Sequence, residues 1–432
     1  MRYLAALLLL TGCSSAAPAA SRPLMSSPAP GDEINGHVKE AAGAELGSLV
    51  ELYKWFHENA ELSLKEEKTA AKFAAEVRAA GWTVTEKIGG TGVVAVLKNG
   101  DGPLVFARID MDGLPVKEET GLPYASKGDA MHACGHDSHL AIGVGAARIL
   151  SKLKSRWAGT MVLIGQPAEE IGRGAEQMLA DPKFHELIPG KPVACLSVHD
   201  MTEQAGTIGV CPGFASANVD SIDITLYGEG GHGAWPHLTV DPIVIGAEVV
   251  LSLQTIVSRK IKPGTKAVVT VGSFHAGTKH NVIGNEAKLQ LTVRSYEEDV
   301  RKMLLAEIRH ICESVAAAHH SPKKPFIKYG EAATDACYFE PAFVGRLQGV
   351  FERLLGKEKI WIGEPMMGGE DFGRFPKHFG VPGLQFRVGG ARPGHDSKIG
   401  LHSSKWAVDP EPTILTGTQA FSRGCLELLG TK

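Results

Sequence analysis

The chain has 432 residues, 44% of them hydrophobic and 22% charged, and its 48 acidic and 45 basic side chains leave a net charge of −3. That length argues for two or three domains with sizeable cores, and the average polarity excludes a disordered chain or a multi-span membrane protein. With no basic excess there is also no electrostatic footprint for nucleic acid.

The chain opens on MRYLAALLLLTGCSS, which is one arginine, a short apolar run and then Leu10-Thr11-Gly12-Cys13. Such a run is too short to span a bilayer and reads as a secretory signal. The tetrad resembles a bacterial lipoprotein box. That implies cleavage before Cys13, diacylation of its sulfur and a lipid anchor on a bacterial membrane, facing the periplasm or the cell exterior. An uncleaved apolar N-terminus, or an ordinary signal cut near Ala17 to Ala20, is the alternative. Residues 1–12 are thus expected to be a signal peptide, and the Ser, Ala and Pro beyond them make 13–36 a flexible tether.

Glu66 to Ala80 places Ala70, Phe73, Ala74, Val77 and Ala80 on one helical face, with Gly81 as the stop. Continuous apolar runs come next at Val93–Val96, Leu104–Ala107, Met161–Ile164 and Val193–Leu196. Separated by helical segments, they predict buried strands of an α/β sheet. From Ser221 the rhythm changes. An alternating strand at Ser221–Leu226, an apolar helix at Pro242–Ser258, strands at Ala267–Val271 and Ala287–Val293, a helix over Glu297–His319 and a strand at Pro325–Tyr329 give the order β-α-β-β-α-β. This is the ferredoxin-like pattern. The expected architecture is therefore a catalytic α/β domain, residues 37–216 and 331–432, interrupted by an α+β lid or dimerisation domain at 217–330.

Seven cysteines are present; setting Cys13 aside, the other six are too irregularly spaced for a disulfide framework and are expected to be free thiols. One of them lies in Met131–His139, MHACGHDSH, which packs three histidines, a cysteine and an aspartate into nine residues. Cys134 and His136 are one residue apart, so a turn could bring both onto one ion. Alone, the pair is equally what a polar loop with a buried thiol looks like. Gln166-Pro167-Ala168-Glu169-Glu170 comes after an apolar strand, which would bring two acids out at the carboxyl edge of the sheet. There, one carboxylate could ligate metal while its neighbour takes a proton from water. His199 also comes after an apolar run, whereas His402 is unremarkable by itself, one of 17 histidines.

MHACGHDSH, QPAEE, His199 after a strand, GHGAWPH at 231–237, HNVIGNEA at 280–287, GGEDF at 368–372 and LHSS near the end occur in an order that resembles one family. It is that of the dinuclear metallo-amidohydrolases, with aminoacylases, hippurate hydrolases and indole-acetyl-amino-acid hydrolases, related to glutamate carboxypeptidase and acetylornithine deacetylase. The resemblance runs from about Leu49 to the C-terminus. It implies that Cys134, His136, Glu170, His199 and His402 hold two divalent ions (Mn or Zn, with Co or Ni as further candidates), Cys134 being shared. Glu169 would be the general base, His232 would reach a partner subunit's site to stabilise an oxyanion, and Asn281 would contact substrate. Asp112 is either an acid that orients the site or a plain turn residue, and Glu370 and Asp371 look like supports rather than ligands. Two departures stand out: Gly284 replaces a proline after Asn281, and Asp200 replaces an apolar residue after His199.

The resemblance implies a metal-dependent hydrolase of N-acyl amino acids or similar small amides, acting as a homodimer. Two rivals are a dipeptidase or carboxypeptidase on the same scaffold, and a non-catalytic metal-binding lipoprotein. A cysteine nucleophile would leave Glu170, His199 and His402 without a role.

Overall fold

The computed structural model describes residues 31–330 and 333–431. Helix α1 (Gly31–Glu58) comes first, then α2 (Glu67–Ala79), which buries Ala70, Phe73, Ala74 and Val77 as the apolar spacing predicts. Six strands then enter the large sheet: β1 (Thr83–Ile88), β2 (Gly92–Asn99), β3 (Leu104–Asp110), β4 (Trp157–Gln166), β5 (Ala194–Gln204) and β6 (Ile208–Val210). Helix α3 (His136–Lys152) lies between β3 and β4.

The inserted domain is next along the chain. Its strands β7 (Asn218–Tyr227), β8 (Ala267–Ala276), β9 (Glu286–Ser295) and β10 (Phe326–Tyr329) form a separate antiparallel sheet in the order β8-β9-β7-β10. Helices α4 (Pro242–Thr255) and α5 (Glu298–Ala318) pack on it. This is the ferredoxin-like order, with a hydrophobic cluster of its own built on Ile222, Ile224, Val249, Leu289 and Ile308. Alternation along β9, exposed at Glu286, Lys288 and Gln290 and buried between them, shows one face on that core and one on solvent.

After it, α6 (Pro341–Leu355), β11 (Ile360–Ile362), β12 (Gly383–Ala391), α7 (Pro410–Leu428) and a terminal strand β13 (Gly430–Thr431) return to the large sheet. Its order is β1-β2-β4-β3-β5-β12-β6-β11, with β13 pairing β4. The central strands β4, β3, β5 and β12 are parallel and nearly continuously buried, which explains their unbroken apolar runs. Helices α1, α3 and α7 pack against one another in the layer over it.

One expectation is corrected at the start of the chain. Residues 31–36 are helix rather than tether: Asn35 is buried, its Oδ1 accepts from Arg423 Nε at 2.9 Å, and Val38 one turn on is in the core. Ordered partners on α7 outweigh the polar composition. The expected signal peptide, Cys13 and the rest of the tether lie outside the described residues. The six remaining cysteines are all buried free thiols.

Candidate metal centre

Parallel pairing brings the carboxyl ends of β3, β4 and β5 side by side: Asp110 pairs with Gln166, and Arg108 with both Ile164 and Ser197. The segments leaving these strands therefore converge, bringing Asp112 after β3 and Glu169–Glu170 after β4 towards His199 on β5 itself. Cys134 and His136 arrive at the N-terminus of α3. Gly135 between them has φ +83°, and a Cβ there would sit 2.1 Å from Asp200 Oδ2. Only glycine fits, so the Cys-Gly-His turn is set by close approach as well as by backbone freedom. His402 completes the group from a loop where its own φ is +68°, a strained setting for a side chain, held by its N–H donating to Ala133 O at 2.7 Å.

The ligand atoms form two triads that share Cys134, one with His136 and His199 and one with Glu170 and His402, each within 4.8 Å of one another. Cys134 Sγ is 3.6 Å from His199 Nε2, His136 Nε2 is 3.8 Å from Glu170 Oε1, and His402 Nε2 is 3.5 Å from Glu170 Oε2. Ligands at about 2.0–2.3 Å from one ion lie roughly 3–4 Å apart, so the spacing fits. Two buried atoms of the set, His136 Nε2 and Glu170 Oε1, have no hydrogen-bond partner among the described residues. The imidazoles are turned for the task. His136 Nδ1–H donates to Asp112 O at 2.8 Å and His199 Nδ1–H to Asp200 O at 2.7 Å, leaving each Nε2 free. Nitrogen, thiolate and carboxylate donors suit a borderline divalent metal.

The electrostatics agree. Burial, reinforced by Glu370, Glu170 and Asp371, pushes the Glu169 carboxyl well above the usual carboxylate range. Burial raises Glu170 to about 7 and, with Glu170 and Glu169 adding to it, lifts the Cys134 thiol as well. His136 goes the other way: burial opposes its charge, yet Asp110 and Asp112 push it up to about 10. Acids crowded in a dry site hold their protons until cations compensate them.

Asp112 is tied to both glutamates. Besides its carbonyl bond to His136, its Oδ1 accepts from Glu169 N and its Oδ2 from Glu170 N, both at 3.1 Å, and Ser63 Oγ donates to Oδ2 at 2.6 Å. It pins the backbone of both glutamates. Ala168 before them has φ +51° and is held by its N–H to Glu66 Oε1. Asp200 acts on His199 through its carbonyl; its Oδ2 accepts from Ser138 Oγ and its N–H donates to His139 Nε2. That leaves His139 Nδ1–H for Asp110 Oδ1, so Asp110 is engaged and not a free ligand.

Sequence reasoning missed two buried cations. Arg108 is fully buried and donates to Gln166 Oε1 (2.9 Å), Asp110 Oδ2 (2.6 Å), Glu370 Oε1 (2.9 Å) and Asp371 Oδ1 (3.1 Å). Its cue was an arginine inside an apolar strand. His57 lies between Asp137 Oδ2 at 2.6 Å and Glu118 Oε1 at 3.0 Å; burial opposes its charge, but the two acids hold its pKa up to about 9. Nothing in the local sequence marked it.

His232 and Asn281 stand apart. His232 lies on a ribbon in the inserted domain, Gly231–His232 against Val282–Ile283, and Asn281 in the turn just before it, where Gly233 N–H donates to Asn281 O. They are exposed, and among the described residues no hydrogen bond or ion pair joins them to the five-ligand cluster.

The model of peptidase family M20/M25/M40 matches residues 106–424. An N-acetylcysteine deacetylase of Bacillus subtilis is 33% identical over 78% of this chain and 86% of its own length. Thermostable carboxypeptidase 2 of Saccharolobus solfataricus is 32% identical over 84% and 91%. Among solved structures, a dinuclear metal-binding peptidase of the M20 family from Bacillus subtilis superimposes with a TM-score of 0.75 at 28% identity, covering 90% of this chain and 99% of that one.

Proposed function

The chain belongs to peptidase family M20/M25/M40 and is a metallo-amidohydrolase; from that premise we propose that it hydrolyses N-acyl amino acids or closely related small amides, with Glu169 as general base. Cys134, His136, Glu170, His199 and His402 would hold two divalent ions, manganese or zinc, with cobalt or nickel also suited to the donors. When bound, such ions supply Lewis acidity, polarising a carbonyl and lowering the pKa of water.

One observation carries the reading. Glu169 Oε2 lies 3.9 Å from His136 Nε2 and groups with His136 and Glu170, yet both triads around Cys134 are complete without it. A buried carboxyl with raised proton affinity takes the proton of the attacking water and returns it to the leaving amine. Asp112 holds its backbone in place for both transfers. Glu169→Ala is expected to keep its metal, measured by elemental analysis, and to lose turnover of N-acyl amino acids; appreciable residual hydrolysis would refute the assignment.

The inserted domain supplies the rest across a homodimer. Trp235 and Leu238 beside the ribbon, and Val244 and Leu251 on α4, are exposed apolar side chains, Leu238 and Leu251 each at 71%. Pairing such faces would carry His232 of the partner subunit to the oxyanion and leave Asn281 to contact the substrate carbonyl or carboxylate. The similarity to a carboxypeptidase favours dipeptides as the second substrate reading; a panel of N-acyl amino acids and dipeptides separates the two. We also infer export and lipid anchoring from Leu10–Cys13, tested by palmitate labelling that Cys13→Ala abolishes.

A further inference from the structure

Strand β12 crosses the middle of the large sheet with its alternate residues in two environments. Leu384, Phe386 and Val388 are fully buried in the main core. Gln385 and Arg387 face the other way, into a cleft that His199 and Ser216 also line. The parallel register sets Arg387 opposite His199, roughly 4.8 Å away, one strand spacing from a proposed metal ligand.

Arg387 is only 5% exposed, yet among the described residues it forms no ion pair; its Nη1 donates to Glu364 O at 2.9 Å and its Nη2 to Ala215 O at 3.4 Å. The contrast with the other deeply placed arginines is plain. Arg108 meets three carboxylates and Arg423, 2% exposed, pairs with Glu427 at 3.1 Å. A guanidinium carries five N–H donors, and burying its charge without an anion is costly. Glu370, an acid on the cleft wall, does not supply one, being bonded to Arg108 and Gln385. Ser216 Oγ is a second orphan at the same place: it is buried and, among the described residues, has no partner beyond a weak interaction with the Cys337 thiol.

We infer that this cleft is a carboxylate subsite, in which Arg387 and the Ser216 hydroxyl receive an anionic group carried by the substrate a few carbons from the scissile amide. The proposal rests on amide hydrolysis at the neighbouring metal centre and narrows its substrate class. The carboxylate comes either from a short dicarboxylic acyl group, succinyl or glutaryl, or from the acidic side chain of the amino acid released. Both present the same planar anion, which a guanidinium grips through paired hydrogen bonds.

Two measurements on the metal-loaded protein test it. In the first, kcat/KM is compared for N-succinyl-leucine, N-acetyl-aspartate and N-acetyl-leucine. One of the first two is expected to lead N-acetyl-leucine by about tenfold or more, the worth of one charge-assisted hydrogen bond. Arg387→Leu collapses that ratio, mainly through KM, and Arg387→Lys restores part of it. Which substrate leads identifies the source of the carboxylate. In the second, calorimetry compares glutarate with butyrate: the wild type is expected to bind glutarate about tenfold tighter, and Arg387→Leu to bind both alike. Equal loss on all three substrates, or no glutarate preference in the wild type, overturns the subsite. A glutarate preference without turnover of any N-acyl substrate supports the subsite and tells instead against the proposed reaction.

Discussion

The catalytic domain and the inserted domain hold their reactive groups in opposite ways. Around the candidate metal centre most such groups are fixed by buried neighbours within one chain: Asp112 grips two backbone N–H groups, Arg108 binds three acids, and the imidazoles of His136 and His199 each have one nitrogen tied to a carbonyl. His232 sits exposed on a two-residue ribbon and Asn281 in the turn beside it. A site preorganised by burial must balance its desolvation inside the chain. A group kept in water has no such debt and gains its surroundings only when another surface closes over it. Substitutions of the groups that brace the first region should therefore change stability or metal content, and those in the second turnover alone.

The sharpest break of that contrast is Arg108→Met. It strands Asp110, Glu370 and Asp371 together and is expected to cost about 3–5 kcal/mol of unfolding free energy, read by urea denaturation. On the other side, His232→Ala should leave metal content and melting temperature unchanged and lower kcat by about 10²–10³-fold, as loss of an oxyanion donor does. Mixing His232→Ala with Glu169→Ala should recover activity in mixed dimers if the histidine acts across the interface; no recovery would place it in its own subunit's site.

His57 gives the region its pH signature. Its folded pKa of about 9 lies above its ordinary 6.5. The stabilisation is thus complete below pH 6.5 and lost as pH rises through 9, with a slope of about −1.4 kcal/mol per pH unit between them. His57→Asn should remove that slope from the pH dependence of unfolding. The smallest effect is Asp112→Ala, expected to weaken metal affinity about 10–100-fold by freeing the backbone of Glu169 and Glu170; an unchanged affinity would make Asp112 a turn residue after all.

Much of this was legible in the chain. Apolar runs marked β2, β3, β4 and β5, and the change to alternation at Ser221 marked the inserted domain, because burial on two faces and on one face write different patterns. Motif order singled out Cys134, His136, Glu170, His199 and His402, and the fold brings these five side chains together around Cys134. What stayed hidden depends on partners far apart in sequence. Arg108 meets Glu370 and Asp371 more than 260 residues later, and His57 meets Asp137 across 80. The positive φ angles of Ala168 and His402 carry no signal in residue type, since neither is a glycine or asparagine. The early start of α1 was masked by its polar first turn.

The position of the inserted domain between β6 and β12 also sets an order of assembly. That domain is continuous in sequence and has its own core, so it can condense as soon as its own strands exist. The large sheet cannot: β12 pairs with β5 and β6, so the middle of the sheet waits for a strand made about 180 residues after β5. Such long-range parallel pairing is slow to form. Until it arrives, β5 has a bare edge beside His199, and His402 is later still. The nascent protein therefore carries a finished inserted domain on an open sheet, and chaperones that shield strand edges have their target there.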